Sequence, residues 1–222
     1  MWCVPEVTPL FIERMEDVLE LYAKPYNPKE PVLCFDEKSK QLIKDTRAGR
    51  NTGEGEPRRN DYEYKRNGVR NVFLAVEPKG GYRSVRVTAR RTKEDFAKEI
   101  RRIIALRRYR NAKKIHIVLD NLNIHFEGSL LLAFGKTEAR NILRRITFHH
   151  TPVHASWLNM AEIEIGVMTG QCIKGRIATE GNLKEKLRHW QTRRNRAKAT
   201  ISWGFTVRKA REKFHYKPKE LC

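Results

Sequence analysis

The sequence contains few cysteines, and none has the spacing of a metal-binding or disulfide framework. The four residues Cys3, Cys34, Cys172 and Cys222 include no C-x-x-C pair, and Cys34 lies inside an apolar run. Isolated cysteines of this kind are typical of reduced, intracellular proteins, so neither zinc ligation nor disulfides are expected. No apolar run is long enough to span a bilayer, and no signal peptide precedes the first charged helix. We therefore expect a cytoplasmic protein without a membrane partner.

Acidic residues are scarce relative to basic ones. The 26 Asp and Glu residues face 46 Lys and Arg residues, which leaves a formal net charge of +20 over 222 residues. This excess indicates a polyanionic partner, and without a membrane segment nucleic acid is favoured over an anionic membrane surface. Because 40% of the residues are hydrophobic, the chain is globular and not a disordered basic tail. Composition alone also fits a ribosome-bound or merely soluble basic protein.

The positive charge is concentrated in two stretches. Residues 181–222 carry 13 bases against three acids, and seven bases fall within residues 101–114. Since Lys and Arg neutralise phosphates, these stretches predict DNA contacts. The predicted DNA-binding residues are Lys38, Arg107, Arg108, Arg110, Lys113, Lys114, Arg193, Arg194, Arg196 and Lys198.

The order of predicted elements is that of a mixed sheet covered by helices. Thr8 and Pro9 begin an amphipathic helix that ends before Pro25, and Thr92 caps another. Further helices are predicted at 130–143, 156–172, 183–195 and 207–214. Strands are predicted at 32–35, 71–76, 82–89, 115–119 and 145–150, and a long polar loop at 45–70. A hairpin followed by strands alternating with helices predicts an α/β, ribonuclease H-like mixed sheet flanked by helices.

Three acids occupy positions suited to metal-dependent chemistry. Asp36 and Asp120 each directly follow a predicted buried strand, and Glu162 lies early in the helix after the last strand. Acids at the ends of neighbouring strands converge on one edge of a sheet. Hard cations such as Mg²⁺ require oxygen ligands, and three carboxylates allow two ions roughly 3.5–4 Å apart to hold the attacking and leaving oxygens of a phosphodiester.

Each acid also has a simpler structural interpretation or a rival. Acids after strands are often turn residues or helix caps. Glu37 competes with Asp36, but neighbours in a strand point to opposite faces of the sheet. Glu164 competes with Glu162, but residues two apart on a helix are about 200° apart, so only one can face the site.

Three sequence blocks resemble those of a known family. They are Cys34–Lys38 (CFDEK), Val118–His125 (VLDNLNIH) and Thr151–Glu162 (TPVHASWLNMAE). The chain resembles the bacterial insertion-sequence 630 family transposases, relatives of the mariner elements, from about Met1 to Phe214. That resemblance implies a ribonuclease H-like domain with an Asp-Asp-Glu triad, in which the W-L-N-x-x-E string ends in Glu162 and the D-E-K block selects Asp36.

The sequence departs from the family pattern in two places. Asp120 and Glu162 are separated by 41 residues, more than the mariner-type norm, and the extra length falls in Phe126–Arg144. Family members carry an N-terminal helix-turn-helix region ahead of the catalytic domain, and we expect none in this chain, whose catalytic segment begins almost at once. We expect residues 1–31 to form a helix and connector, residues 32–180 the catalytic domain, and residues 181–222 a basic helical extension packed on it.

Other polar residues belong to the same blocks. His125 is predicted to contact phosphate or orient a water, or else to be a hydrogen-bonded loop histidine. Asn121, His154 and Asn159 are candidates for supporting the metal ligands or contacting DNA, and Asn159 shares a helix face with Glu162. A zinc site at His149, His150 and His154 is not expected, because the spacing of structural zinc sites is absent.

The resemblance implies a DNA transposase. Its catalytic domain would hydrolyse a phosphodiester at each transposon end and join the freed 3′-hydroxyl to target DNA, using Mg²⁺ or Mn²⁺ and three acids, Asp36, Asp120 and Glu162. The implied partners are terminal repeats and target DNA, a second copy of the chain on DNA, and a separate helix-turn-helix subunit. The implied location is the bacterial nucleoid. The alternative is a truncated, non-catalytic DNA-binding remnant that inhibits or pairs with intact transposase.

Overall fold

The computed structural model describes residues 6–47 and 62–217. A five-stranded sheet lies at its centre, in the order β3-β2-β1-β4-β5. The strands are β1 (Val32–Asp45), β2 (Tyr64–Glu77), β3 (Tyr82–Thr88), β4 (Ile115–Leu119) and β5 (Ile146–His150). The strand β2 pairs antiparallel with both β1 and β3, whereas β4 pairs parallel to β1 and β5 parallel to β4. The predicted mixed sheet is confirmed.

Six α-helices surround the sheet in the described part of the chain: α1 (Pro9–Ala23), α2 (Lys93–Ile104), α3 (Glu127–Leu143), α4 (Met160–Met168), α5 (Glu180–Arg196) and α6 (Val207–Phe214). Thr8 caps α1 by accepting a hydrogen bond from the Phe11 amide, as predicted. Thr92 and Asp95 form a reciprocal capping box at the start of α2. The helix α3 contains a break at Gly135, where φ is 75°.

Side-chain alternation along the strands divides the core into two clusters, one on each face of the sheet. Cys34 and Leu74 point to the face covered by α1, α4, α5 and α6. Phe35 and Phe73 point to the other face, which α2 and α3 cover. The first and last helices thus share one cluster with α4. The domain boundaries at residues 31 and 180 stay predictions.

Three predicted segments were wrong in extent. The strand predicted at 32–35 continues to Asp45, and the loop predicted at 45–70 is strand at Asp45 and from Tyr64 onward, because Asp45 pairs with Tyr64 and the ladder extends beyond the core as a largely exposed ribbon. Residues 48–61 of that loop lie outside the described part of the chain. The helix predicted at 156–172 is instead a 3₁₀ turn at Ser156–Leu158, then α4, then a π-helical turn at Thr169–Ile173.

None of the helices in residues 6–47 and 62–217 is both long and apolar enough to cross a membrane.

Candidate active site

The central strands bring Asp36 and Asp120 to the same level of the sheet. In the parallel β1–β4 pair, Cys34 lies opposite Val118. Two residues further along the chain are Asp36, within β1 and on the face of Cys34, and Asp120, directly after β4. Asp36 was expected just after a strand but lies within β1, where it pairs with Leu74. Pairing with β2 therefore fixes the backbone of Asp36.

Glu162 approaches from α4, whose first turn is anchored to β1. Asn159 caps the helix by accepting a hydrogen bond of 3.1 Å from the Ala161 amide. The same buried side chain donates to the carbonyl oxygen of Phe35, the residue before Asp36. Glu162 lies in the first turn of the anchored helix and is exposed. Asn159 therefore positions the helix that carries Glu162.

Electrostatics shows that the three carboxyl groups influence one another. Burial raises the pKa of Asp36 to about 7, with repulsion from Asp120, Glu37 and Glu162 adding to the effect and a hydrogen bond from the Glu37 amide opposing it. A bound cation would relieve this repulsion, and carboxylate oxygens are the ligands that Mg²⁺ and Mn²⁺ prefer. By donor chemistry and placement, these residues fit a divalent metal.

The carboxylates are not assembled around a common point in this structure. Within residues 6–47 and 62–217, no three His, Cys, Asp or Glu side chains converge closely enough to hold an ion. The exposed side chain of Glu162 has room to rotate, whereas Asp36 and Asp120 are partly buried. Completion of a metal site thus requires a side-chain movement, for which Glu162 has the most freedom.

Asp120 is held by two hydrogen bonds to one oxygen. Its Oδ1 atom accepts from the Leu122 amide at 3.1 Å and lies 2.5 Å from His125 Nδ1. Burial alone would lower the pKa of His125, but the carboxylates of Asp120 and Glu37 raise it to about 9. Burial would raise the pKa of Asp120, and the contact with His125 outweighs it and lowers that pKa. His125 is therefore the charged partner of Asp120.

His125 does not contact phosphate as it lies in this structure. Its side chain is 0% exposed, and its ring packs against Phe96. The expected role as a direct phosphate ligand is corrected by this burial. The alternative that we left open, a hydrogen-bonded loop histidine, describes its position.

The two rival acids have other partners. The fully buried carboxylate of Glu164 binds Arg83 at 2.7 and 3.0 Å and Arg194 at 3.1 Å. Burial would raise the pKa of Glu164, but these two arginines lower it. Glu37 points to the opposite face of the sheet from Asp36, towards His125 and Arg91. Neither acid is free to replace Glu162 or Asp36.

The remaining candidates lie around this edge of the sheet. Asn121 accepts a hydrogen bond from Arg14 at 2.6 Å and donates to the carbonyl oxygen of Thr151. His154 is exposed in the loop before α4 and has a left-handed backbone, with φ of 61°. His149 lies between His116 and Asp17, at 2.9 and 2.7 Å. His149 and His154 therefore do not share one cluster of side chains.

Most of the predicted DNA-binding residues lie away from the acids. Residues 107–114 precede β4, at the end opposite Asp120. The C-terminal end of α5 lies beside the turn between β2 and β3, where the Ile201 amide donates to Pro78. Arg108 is paired with Glu77 and Arg194 with Glu164, so both guanidinium groups already have a carboxylate partner, although 35% of the Arg108 side chain is exposed. Of the predicted bases, Lys38 lies on β1 two residues after Asp36 and is exposed.

Two arginines near the acids were missed by the sequence analysis. Arg14 of α1 reaches Asn121, the neighbour of Asp120. Arg91 reaches Glu37, the neighbour of Asp36. Arg14 stands among acids, and Arg91, beside Arg90 and near Lys93, lies outside the two basic stretches and the three sequence blocks that the sequence analysis used. Only the packing of α1 and of the segment after β3 brings them to this edge.

Comparison with known proteins gives a family and a fold. A family model described as DDE superfamily endonuclease matches residues 31–184, more than half of the chain. The structure is similar to the Mos1 mariner paired end complex with Mn, at 14% identity and a TM-score of 0.57, over 97% of this chain and 63% of that one. No protein of curated function matches the sequence.

Two further Mos1 structures show the same likeness. The Mos1 strand transfer complex matches at 15% identity and a TM-score of 0.54, over 97% of this chain and 62% of that one. The paired end complex with Mg matches at 13% identity and a TM-score of 0.56, over 97% and 63%. The chain thus spans less than two thirds of the length of these Mos1 chains. The likeness confirms the ribonuclease H-like fold.

Proposed function

The chain belongs to the DDE superfamily endonuclease family, and from that premise we propose that it is the catalytic domain of a DNA transposase. The observation that carries the proposal is that Asp36 in β1 and Asp120 directly after β4 lie at one level of the sheet, beside the start of α4 that Asn159 anchors to β1. The finer placement in the insertion-sequence 630 family rests on the three sequence blocks and is part of this proposal.

Asp36, Asp120 and Glu162 are the residues that would hold Mg²⁺ or Mn²⁺. A divalent ion, when bound, neutralises the charge that develops at phosphorus and lowers the pKa of an attacking water. The chain's own contribution is to fix the ligands. The pairing of β1 fixes Asp36, the contacts with Leu122 and His125 fix Asp120, and the cap of α4 orients Glu162.

The same site would serve both steps of transposition. Hydrolysis at a transposon end and attack of the freed 3′-hydroxyl on target DNA are both in-line displacements at phosphorus, so they need the same arrangement of ligands. Mos1 was solved in paired end complexes with Mn and with Mg and in a strand transfer complex. These complexes support DNA and a divalent metal as the partners of this domain.

DNA would lie across the edge that carries the acids. Three basic residues lie at or beside this edge, namely Lys38, Arg14 and Arg91. The bases at 107–114 and 193–198 would reach DNA only on another part of the surface. Pairing of two copies on DNA is a further part of the proposal, supported by the paired end state of Mos1. A helix-turn-helix subunit supplied separately is another part, and it rests on the family resemblance of the sequence blocks.

The test is strand cleavage of plasmid and linear DNA by the purified protein in Mg²⁺ or Mn²⁺. The unmodified protein should nick DNA and leave 3′-hydroxyl ends that can be extended by a polymerase. Asp36→Asn, Asp120→Asn and Glu162→Gln should each lose cleavage. Glu138→Gln, an exposed acid on α3 paired with Arg101, is the matched control and should retain it. If the unmodified protein fails to cleave even with a helix-turn-helix subunit added, the non-catalytic remnant becomes the better explanation.

A further inference from the structure

A buried chain of charged side chains runs behind Asp120. Glu37 is only 2% exposed, and its Oε2 atom lies 3.1 Å from His125 Nε2. The imidazole is 0% exposed, and its Nδ1 atom lies 2.5 Å from Asp120 Oδ1. The other carboxylate oxygen of Glu37 lies 3.4 Å from Arg91. One imidazole therefore connects the residue beside Asp36 to Asp120.

Packing fixes the plane of this imidazole. The rings of Phe96 and Phe35 lie 4.9 and 5.9 Å from the His125 ring, centroid to centroid. The His125 amide donates to the carbonyl oxygen of Leu122, and its own carbonyl oxygen accepts from His150 at 2.7 Å. Because the ring and its backbone are both held, the side chain has little freedom to follow Asp120 if that carboxylate moves.

The side chains of Glu37 and His125 depend on each other for a partner. Glu37 Oε2 and His125 Nε2 are both buried and have no well-aligned hydrogen-bond partner in the described part of the protein, although they face each other at ion-pair distance. A buried charge without a partner is costly, so each group favours the presence of the other. The carboxylate of Glu37 therefore favours the imidazole orientation in which Nδ1 faces Asp120.

We propose that Glu37 is a positioning residue for Asp120 and acts through His125. This inference rests on the proposed function, because it assigns Glu37 to support one of the proposed metal ligands. In metal sites, a group that holds a ligand from behind sets the orientation of that ligand, and its loss typically lowers metal affinity about 10–100-fold. Glu37 contacts neither metal nor DNA in this role.

The experiment measures Mn²⁺ binding by the full chain without DNA, from the electron paramagnetic resonance signal of free Mn²⁺. Glu37→Gln keeps the size of the side chain but removes its charge, and it should weaken Mn²⁺ binding about tenfold or more. Glu77→Gln is the matched control, because Glu77, the last residue of β2, is also 2% exposed and is also paired with an arginine, Arg108. Its Mn²⁺ affinity should stay within about twofold of the unmodified protein.

A double-mutant cycle separates this role from a general loss of structure. His125→Asn retains an amide near the position of Nδ1, which can donate to Asp120 without help from Glu37. In that background, Glu37→Gln should change Mn²⁺ affinity less than about twofold, because the connection has already been removed. Glu37→Asp retains the charge beside Arg91 but withdraws it from His125. Like Glu37→Gln, it should weaken Mn²⁺ binding. It replaces Glu37→Gln if that variant does not fold.

The outcomes distinguish the two proposals. If the unmodified protein binds no Mn²⁺, or Asp120→Asn leaves its affinity unchanged, the metal site itself is refuted and this inference with it. If Asp120→Asn weakens binding but Glu37→Gln does not, only the role of Glu37 is overturned. The role of Glu37 would also be overturned if Glu37→Gln weakened Mn²⁺ binding equally in the unmodified protein and in the His125→Asn variant. The effect would then not pass through the imidazole.

Discussion

Asn159 joins the first turn of α4 to the strand that carries Asp36, through a hydrogen bond of 2.9 Å from its amide to the Phe35 carbonyl oxygen. The same side chain caps α4. One buried residue thus fixes the distance between two elements and the start of the helix that presents Glu162. Its removal should therefore affect stability and cleavage together.

We expect Asn159→Ala to lower the free energy of unfolding by about 2–3 kcal/mol, because it removes a helix cap and leaves a buried carbonyl oxygen unpaired. Chemical denaturation measures the change. Thr179→Ala, which removes the cap of α5, is the control and should cost about 1 kcal/mol. At a temperature where both variants are folded, cleavage should fall only in Asn159→Ala. Equal cleavage by the two variants would contradict the positioning role.

DNA affinity and cleavage should respond differently to loss of Asp120. Asp120→Asn should reduce metal-dependent cleavage by orders of magnitude, because the ligand charge that holds the cation is gone. DNA affinity without metal should be unchanged or slightly tighter, since one repulsive negative charge has been removed. Fluorescence anisotropy in EDTA measures the affinity. A parallel loss of binding would show that Asp120 supports the fold and not the chemistry.

Glu164 should make stability depend on acid pH. Burial would raise its pKa, but Arg83 and Arg194 hold it below the ordinary value of 4.5. The stabilisation is therefore complete above pH 4.5 and is lost as pH falls further, because the unfolded chain takes up the proton first. Glu164→Gln should lower the free energy of unfolding by about 3 kcal/mol at pH 7, since it strands buried arginine charge.

Urea denaturation between pH 3 and pH 7 tests this expectation. The difference between the unmodified protein and Glu164→Gln should be constant above pH 5 and should shrink below about pH 4.5. Glu185→Gln, an exposed acid on α5 with 67% of its side chain accessible, should leave the pH profile unchanged. A difference that stays constant down to pH 3 would argue against the two arginines as the cause.

Salt dependence should locate the DNA on the surface. Each phosphate that the protein neutralises adds about 0.9 to the negative slope of log affinity against log salt on duplex DNA. If DNA crosses the edge with the acids, Lys38→Ala should reduce that slope by about one unit, and Arg110→Ala, at the other end of β4, should leave it unchanged. A reduced slope for Arg110→Ala alone would move the DNA to residues 107–114. A flat salt response of the unmodified protein would remove nucleic acid as the partner.

The sequence predicted the elements that depend on local patterns. Thr8 and Thr92 marked helix starts, and the apolar run before Asp36 marked a buried strand. The sequence did not predict the length of β1, because residues 37–41 are all polar and are held in the strand by pairing with β2. Pairing between polar stretches lacks the alternation of apolar and polar residues from which a strand is predicted.

Contacts between distant residues were also beyond the sequence. Arg83 and Glu164 are 81 residues apart, and both side chains are fully buried. Arg and Glu are residue types that usually lie on the surface, so neither position suggests burial by itself. Glu37 was weighed only as a rival of Asp36, because alternation places it on the other face. Its link to His125 depends on the fold of the segment after Asp120, which brings the imidazole beneath β1.

The buried ion pairs of Glu164 restrict insertions and deletions in α4 more than they restrict substitutions there. Each helical residue turns the chain by about 100°, so one residue inserted between Asn159 and Glu162 would carry both glutamates to new directions. Glu164 would leave Arg83 and Arg194, and Glu162 would leave the side of β1. Substitutions on the exposed side of α4 leave this phase intact. Insertions and deletions do not, so related chains should keep Asn159, Glu162 and Glu164 at their present spacing while the other residues of this segment vary.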